Sequence, residues 1–574
     1  MMRTGAQCII DGLKKAGVDT IFGLPGGAVL DIFASLYSAD FKFVLARHEQ
    51  GATHMADGYA RATGRPGCCI VTSGPGATNA VTGLATANMD GIPMVCISGQ
   101  VPSSMIGNDA FQEADTVGIT RGVTKHNYLV NSADDIPRVI AEAFHIATTG
   151  KPGPVLIDIP KNFQKATTNA KDPDTVNIRS YKPPTGTGHP KQIKKLADAI
   201  NKAKRPVFYV GGGVIAGGAA AELTKVARKA NIPVTTTLMG LGSFPETDPL
   251  SLRMLGMHGS VEANNAVSEC DLLVSIAARF DDRVTGKISE FAPKAAKAHI
   301  DIDPSAIDKS VDIDIPVVGH VKPILKELLP LVKKTERAAW LKQIKEWQDE
   351  YAFSYNEKDK EILPQFVIEQ VYKESKGKAV VCTEVGQHQM WSTHFFKYTK
   401  PRTFISSGGL GTMGFGLPAA IGAQAGMPNA TVVDIAGDGS IQMNFQELVV
   451  AVEHNLPIKI IILNNGHLGM VRQWQDMFYN NEHSATVLGQ QKRPANEKIK
   501  SKKKGYLPDF IKMAEAHGAT GIRVEKKKDV NAALAKAFKT PGPVVCEFIV
   551  KEHENVYPMV PPGASLTEMV QSMA

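Results

Sequence analysis

VVDIAGDGS (residues 432–440) and, a helix-length further on, PIKIIILNN (457–465) decide the fold. Each is a short run of aliphatic and β-branched residues that stops abruptly at Gly, Asp or Asn, as buried strands do when they leave the carboxyl edge of a parallel sheet. Ligands of open α/β sheets bind outside that edge. Gly437 and Gly439 let the backbone approach a phosphate closely, Ser440 can donate to its oxygens, and the helix that follows offers free N–H groups. Asp438 and Asn465, 27 residues apart, are hard oxygen ligands. With the backbone carbonyl of His467 they suit an octahedral Mg²⁺ completed by water and diphosphate oxygens. A lone GDG is more often an ordinary strand-end turn; the paired asparagines at this spacing favour the ligand.

The same pattern occurs earlier in the chain. CCIVTSGPG (68–76) leads to PMVCIS (93–98) with 19 residues from Gly74 to Pro93, against 20 from Gly437 to Pro457, and PGPV turns feed further strands at 152–155 and 541–544. Three matches in the same order point to two copies of one fold. Between them lies a different block with strand-like PVFYVGGG (206–213), IPVTTTL (232–238), CDLLVSIAAR (270–279) and AHIDID (298–303). The reading is an α/β protein of three doubly wound parallel-sheet domains, the first and third similar to each other. The expected boundaries are 1–166, 190–331 and 363–551, with a tail at 552–574. A polar linker (167–190) and a charged, helical connector (332–360) separate the domains.

With 574 residues, 43% hydrophobic and 21% charged, each domain has enough chain for a core, and disorder, collagen and coiled coil are excluded. The longest stretch without Asp, Glu, Lys or Arg, 403–433, holds seven glycines and two prolines and no apolar run long enough to span a membrane. The first residues, MMRTGAQCIIDGLKK, enter an amphipathic pattern with no secretory core, which predicts a cytoplasmic protein. Seven cysteines form no CxxC pair and are read as buried, reduced thiols. The net charge of +7 is nearly all local: residues 488–504 carry seven Lys/Arg against one Glu. Without interleaved aromatic residues that segment reads as a solvated, mobile insertion, and neither nucleic acid nor membrane is an expected partner.

GDG followed by NN at this spacing resembles the cofactor motif of the thiamine-diphosphate enzymes. The resemblance then extends over nearly the whole chain to the catalytic subunit of acetohydroxyacid (acetolactate) synthases. It runs through FGLPGG (22–27), RHEQGATHMADGYAR (47–61), TSGPGATN (72–79), DAFQE (109–113), TTLMGLG (236–242), MLGMHG (254–259), RFDDRVTGK (279–287), HIDIDP (299–304), GLGTMGFGLPAAIGA (409–423), NNGHLGMVRQWQ (464–475) and NVYPMVPPG (555–563).

That family implies thiamine diphosphate, Mg²⁺ and FAD, with residue roles as follows. Glu49 hydrogen-bonds the pyrimidine ring, a task suited to a desolvated carboxylic acid that shares a proton with a ring nitrogen. Gly76 and Asn79 accompany it. Gln387, His388, Gly411, Gly439, Ser440, His467, Leu468, Gly469 and Met470 line the cofactor, and Met413 wedges beneath it. Asp438, Asn465 and His467 hold the metal. Gln112 meets the donor 2-oxo acid, Arg283 offers a planar fork to the acceptor carboxylate, Phe111 and Lys161 stand at the channel mouth, and Trp474 walls the acceptor pocket, where a methylene is worth about 1–3 kcal/mol. Taken singly, each could instead be core, turn or surface.

Gly211, Gly212 and Gly213 alone are a weak dinucleotide fingerprint, and no acidic residue ends the next strand to hold an NAD ribose, so a dehydrogenase is disfavoured. With Thr237, Leu238, Met239, Met257, His258, Arg279, Asp281, Arg283, Asp301 and Ile302 they resemble the flavin-binding middle domain of the biosynthetic synthases. At Lys151 the family commonly has an Arg touching the flavin; Lys keeps the charge and loses the fork. The implied activity is decarboxylation of pyruvate with transfer of the two-carbon unit to a second pyruvate (2-acetolactate) or to 2-oxobutanoate (2-aceto-2-hydroxybutanoate), in branched-chain amino-acid (valine, leucine, isoleucine) biosynthesis. A homodimer or tetramer with sites at the subunit interface, a small regulatory subunit, and a tail that closes the site against water are also implied. A pyruvate oxidase or decarboxylase on the same fold, and a non-catalytic binding paralogue, are the alternatives.

Overall fold

A computed structural model describes residues 2–184, 186–489 and 507–572. The basic insertion expected at 488–504 therefore lies outside the described residues except at its first two positions.

A two-residue strand, β1 (Arg3–Thr4), precedes the first six-stranded sheet. That sheet contains β2 (Thr20–Gly23), β3 (Lys42–Leu45), β4 (Gly67–Val71), β5 (Met94–Gln100), β6 (His126–Leu129) and β7 (Pro154–Pro160), and β8 (Thr167–Thr168) returns to pair antiparallel with β1. The middle sheet contains β9 (Pro206–Val210), β10 (Val234–Thr236), β11 (Ser251–Met254), β12 (Leu272–Ile276), β13 (Ala296–Asp301) and β14 (Ile315–Val318). The third contains β15 (Val380–Thr383), β16 (Phe404–Ile405), β17 (Val432–Gly437), β18 (Lys459–Asn464), β19 (Thr520–Val524) and β20 (Val544–Ile549).

The spatial orders explain the sequence echo. The first sheet is β3-β2-β4-β5-β7-β6 and the third β16-β15-β17-β18-β20-β19, so both place their own strands in the order second, first, third, fourth, sixth, fifth. The middle sheet, β11-β10-β9-β12-β13-β14, has the order 3-2-1-4-5-6, which is that of dinucleotide-binding folds. Parallel pairing runs through the first and middle sheets and through β15, β17, β18, β20 and β19 of the third. Strands such as β4, β9, β12 and β18 are buried along their whole length, which is why they read as unbroken apolar runs rather than alternating ones.

The chain divides into two compact units, and the first comprises residues 1–182, 379–388 and 405–552. Its first and third sheets are joined by two helices, Glu49–Thr63 and Gly416–Gly426, that touch backbone to backbone. A Cβ on Gly58 would lie 2.2 Å from the Ala419 carbonyl oxygen, and one on Gly422 would lie 1.8 Å from that of Met55. Met55, Tyr59, Phe415, Leu417 and Ile421 belong to one continuous core on either side of this crossing. Beside it Arg61, fully buried, is paired with Asp57 and with Asp90 (2.9 Å) and donates to the Ser406 carbonyl at 2.9 Å. Such a group persists in a core because every charge has a partner. All seven cysteines are buried and free.

The stretch expected to be a linker is ordered at its start, because β8 zips onto β1 and because Ile178 and Tyr181 pack on the first core. Lys125 donates to the Tyr181 hydroxyl at 2.9 Å.

The second unit comprises residues 183–378, 389–404 and 553–574. The charged connector is part of it: helix Ala338–Glu350 buries Trp340 and Ile344 against Val207, Val267 and Leu273. The tail also folds here, with Val560 and Leu566 in the same cluster and the Val560 N–H bonded to the Met257 carbonyl at 2.8 Å. No described helix is long and apolar enough to cross a membrane.

Glu246 of this unit is buried, accepts from the Tyr398 N–H at 2.6 Å through Oε2, and has no partner at Oε1. Burial pushes its carboxyl up to about 7. An acid raised in the folded state ionises first in the unfolded one, so stability is lost as pH rises from the ordinary Glu range to about 7 and stays lost above it. Glu246→Gln is therefore expected to stabilise the protein at pH ~8 by about 1–3 kcal/mol and to change little at pH ~4; melting curves at the two pH values check this.

Candidate active site

In a doubly wound sheet the crevice opens where the strand order reverses. In the third sheet that point lies between β15 and β17, and the residues leaving those strands are Glu384, Val385, Gly386, Gln387 and His388 from one and Asp438, Gly439 and Ser440 from the other. β18, next to β17, ends at Asn464 and delivers Asn465, Gly466 and His467 to the same edge. The backbones converge closely. A Cβ on Gly437 would lie 2.7 Å from His388 Nδ1, and one on Gly469 would lie 2.1 Å from Gln387 Oε1.

Asp438 is buried, and its Oδ2 accepts the Gly466 N–H at 3.0 Å. Burial raises its carboxyl to about 7, while the N–H groups of Asn465 and Gly466 draw it down. A cation is the partner that would keep it ionised. The Asn465 side chain faces Gln387 (3.4 Å) and accepts the His467 N–H at 3.0 Å. His467 closes the turn through its ring, with Nδ1 2.8 Å from the Asn465 carbonyl oxygen. These donors fit Mg²⁺ in kind: one carboxylate, one amide oxygen and a main-chain carbonyl at the same turn. His388 is held neutral by burial, down to about 3, so its ring acts by hydrogen bonding and not by charge. Leu468 and Gly469 lead into helix Gly469–Phe478, whose first residues include Met470.

The wedge turn reaches this edge from the other side. Gly411 and Gly414 adopt φ of +70° and +85°, where a side chain would be strained, and Met413 lies half-buried between them. The Gly414 N–H is bonded to Glu384 Oε2 at 2.7 Å, and its carbonyl accepts from Asn444 at 2.7 Å. Ser440 donates its hydroxyl to the same Glu384 oxygen at 2.7 Å. The hydroxyl expected to donate to a phosphate thus donates to Glu384 in the structure.

On the first sheet Glu49 is the first residue of helix Glu49–Thr63, is 6% exposed, and receives a hydrogen bond from Asn79 at 3.0 Å. Its Oε1 lies 3.4 Å from where Gly76 would carry a Cβ, and Thr72 beside Gly76 has a buried hydroxyl without a partner. Behind the helix start, Glu447 is fully buried and accepts the Arg47 N–H through both oxygens. Gln112 sits at φ +60° with its backbone against Gly74. Phe111 next to it is 88% exposed. Lys161 begins the short helix after β7, and Lys151 lies exposed on the turn before it. Trp474 is half-buried on helix Gly469–Phe478, edge-on to Phe478 at 5.8 Å.

In the middle sheet the reversal lies between β9 and β12, and Gly211, Gly212 and Gly213 leave β9 at that point. A Cβ on Gly211 would lie 2.3 Å from the Ala277 carbonyl oxygen, and one on Gly212 would meet Met239 at 3.1 Å. Thr237 caps the turn of Leu238 and Met239 by accepting the Gly240 N–H at 3.0 Å. Thr236 Oγ1 and His258 Nδ1 are buried polar atoms without a partner. Asp301 and Ile302 leave β13 on the same side, and Arg279 pairs with Asp281. This glycine-lined crevice with unspent polar atoms fits a dinucleotide such as FAD. Arg283 and Met257, with Asp282, Val560, Pro561 and Leu566, line a cavity of about 100 Å³.

Glu384, Asn444 and Glu447 escaped the sequence reading. The acid that closes AVVCTEV (379–385) was the available signal, since a charge seldom ends a buried strand without purpose; Asn444 and Glu447 carry none outside the fold.

The chain matches three family models: "Thiamine pyrophosphate enzyme, N-terminal TPP binding domain" over residues 3–119, "central domain" over 193–328 and "C-terminal TPP binding domain" over 384–548. It is 47% identical to the acetolactate synthase large subunit of Buchnera aphidicola subsp. Schizaphis graminum, across 99% of this chain and 98% of the relative. It is 46% identical to that of Haemophilus influenzae over the same shares. With "Acetolactate synthase 1, chloroplastic" of Zea mays it shares 46% identity across 99% of this chain and 89% of the relative. A likeness of this depth over the whole length, on three sheets with these strand-end turns, shows that the chain belongs to the acetolactate synthase large-subunit family of thiamine pyrophosphate enzymes.

Proposed function

We propose that this chain joins two 2-oxo acids: pyruvate loses CO₂, and its two-carbon unit passes to a second pyruvate or to 2-oxobutanoate, giving 2-acetolactate or 2-aceto-2-hydroxybutanoate, an early step toward the branched-chain amino acids. The observation that carries the reading is the cradle of Asp438, Asn465 and Ser440 at the reversal point of the third sheet, in a chain of this family. Thiamine diphosphate, when bound, supplies the electron sink for the decarboxylation. The protein supplies position and charge. Asp438, Asn465 and the His467 carbonyl hold Mg²⁺ against the diphosphate. Gln387, His388, Gly439 and Leu468 to Met470 would surround that end, and Gly411 and Met413 would lie against the cofactor. Glu49, aligned by Asn79, would hold the pyrimidine end and could take or give a proton there. Gln112 orients the donor, and Arg283 receives the acceptor carboxylate by its fork. Trp474 sizes the acceptor pocket, with Phe111 and Lys161 at its approach.

FAD would sit in the crevice of the middle sheet, on Gly211 to Gly213, Leu238, Met239 and His258, where the family resemblance makes it a structural ligand and not a redox partner. Lys151 stands where relatives carry an Arg. The bare Phe111 ring, and a Glu49 whose carboxylate partner in its own chain is Asn79, support a site completed by a second copy, with the tail closing over it. The family's "large subunit" name supports a small regulatory partner.

The first experiment offers pyruvate and 2-oxobutanoate in competition, with Mg²⁺, thiamine diphosphate and FAD, and measures the acetohydroxyacids formed. Acetohydroxybutanoate as the main product is expected; consumption of pyruvate with no acetohydroxyacid would overturn the reading. Glu49→Gln should lower turnover by about 10²–10⁴-fold and leave the melting temperature near that of the parent. Asp438→Asn should abolish the rise in melting temperature that Mg²⁺ and thiamine diphosphate together give the parent, because the metal loses its charged ligand.

A further inference from the structure

Two buried carboxylates lie beneath the cradle and take no part in the chemistry described above. Glu384 follows β15 and Asp434 lies within β17; both are fully buried, on neighbouring strands whose register pairs Cys382 with Asp434. Their bonding differs sharply. Glu384 takes three donors: the Gly414 N–H at 2.7 Å and the Ser440 hydroxyl at 2.7 Å on Oε2, and the Leu417 N–H at 3.1 Å on Oε1. Neither oxygen of Asp434 has any partner.

The three donors come from two separate segments. Gly414 belongs to the turn carrying Gly411 and Met413, and Leu417 to the start of the helix that directly continues it, whereas Ser440 belongs to the turn carrying Asp438. Gly416 rests directly on the strand ends: a Cβ there would fall 2.4 Å from Asp434 Oδ1 and 2.6 Å from the Glu384 nitrogen. On its far side the first turn is anchored again, by Asp90 accepting the Gly409 N–H at 2.7 Å. A turn so rich in glycine has much conformational entropy to lose on ordering.

We propose that Glu384 is a positioning residue, whose carboxylate fastens the Met413 turn to the Ser440 turn and so gives the diphosphate cradle its shape before the cofactor arrives. This rests on the thiamine-diphosphate reading of the site. Two carboxylates in one dry interior do not both ionise. Burial pushes both upward; hydrogen bonds from the Ser440 hydroxyl and the Leu417, Gly416 and Gly414 N–H groups draw Glu384 back, while at Asp434 burial and the nearby Glu384 both act upward. Glu384, on which the donors converge, is the acceptor of the pair. Affinity follows, since a cradle already shaped does not spend binding energy on ordering its own loops.

The test titrates thiamine diphosphate, with Mg²⁺ present, into the parent, Glu384→Gln, Glu384→Asp and Asp434→Asn, reading intrinsic fluorescence, and records melting curves without cofactor. Glu384→Gln, which offers an NH₂ where an acceptor is needed, should bind about tenfold more weakly or worse, with kcat at saturating cofactor much less affected and the cofactor-free melting temperature near the parent's. Glu384→Asp keeps the charge on a shorter arm and should fall between the two; it decides the matter if Glu384→Gln does not fold. Asp434→Asn should bind as the parent does. Parental affinity in Glu384→Gln, an equal loss in Asp434→Asn, or loss of affinity only in step with loss of the fold would each overturn the assignment. A parent that binds no thiamine diphosphate would overturn the underlying reading and this assignment with it, an outcome distinct from the other three.

Discussion

The crossing of helices Glu49–Thr63 and Gly416–Gly426 is the constraint on which the first unit depends. At Gly58 and Gly422 there is no room for a Cβ, so the backbones meet and the apolar side chains on either side interdigitate into a single core. That contact sets two functional parts at once. Glu49 is the first residue of one helix, and the other begins immediately after the Met413 turn. Anything that widened the crossing would shift the acid and the wedge together, which explains why the interface is built from Gly and Ala.

Around this crossing, ionisable groups are buried far more than a stability argument would favour. Arg61 with Asp57 and Asp90, Glu384 above Asp434, and Glu447 beneath the start of the Glu49 helix are all removed from water. Each joins segments distant in sequence: Arg61 reaches Ser406, Glu447 reaches Arg47, and Glu384 reaches Ser440. Burying a charge is costly unless hydrogen bonds compensate, and these bonds fall on main-chain groups and a hydroxyl of irregular segments. Loops at the carboxyl edge of a sheet must be irregular to bind a ligand and rigid to bind it well; buried carboxylates meet both needs.

The second unit follows a different logic. Its strand order opens a crevice suited to a dinucleotide, with glycines where the backbone must come close, and Thr236 Oγ1 and His258 Nδ1 are buried without a hydrogen-bond partner among the described residues. The connector helix and the tail belong to its packing because Trp340, Ile344, Val560 and Leu566 have apolar surface to bury. Charge at the surface of those segments concealed this in the sequence, where the connector read as a separator.

Strand identity, the duplicated halves and the turns bearing Gly437 to Ser440, Asn465 and Gly211 to Gly213 were legible in the sequence alone. Buried parallel strands need unbroken apolar runs, and close backbone approaches need glycine; both demands are local and leave local marks. The strand-end turns of Asp438 and Asn465 and the helix that starts at Glu49 left such marks too. What the tertiary structure alone decided is which groups meet. Nothing near Glu384 foretells that it takes the hydroxyl of Ser440, nothing in Asn444 foretells Gly414, and the linker's Tyr181 found Lys125 only through the fold. Hydrogen bonds between residues dozens to hundreds of positions apart are set by the packing of helices and sheets, and a linear pattern records the need for a partner without recording its address.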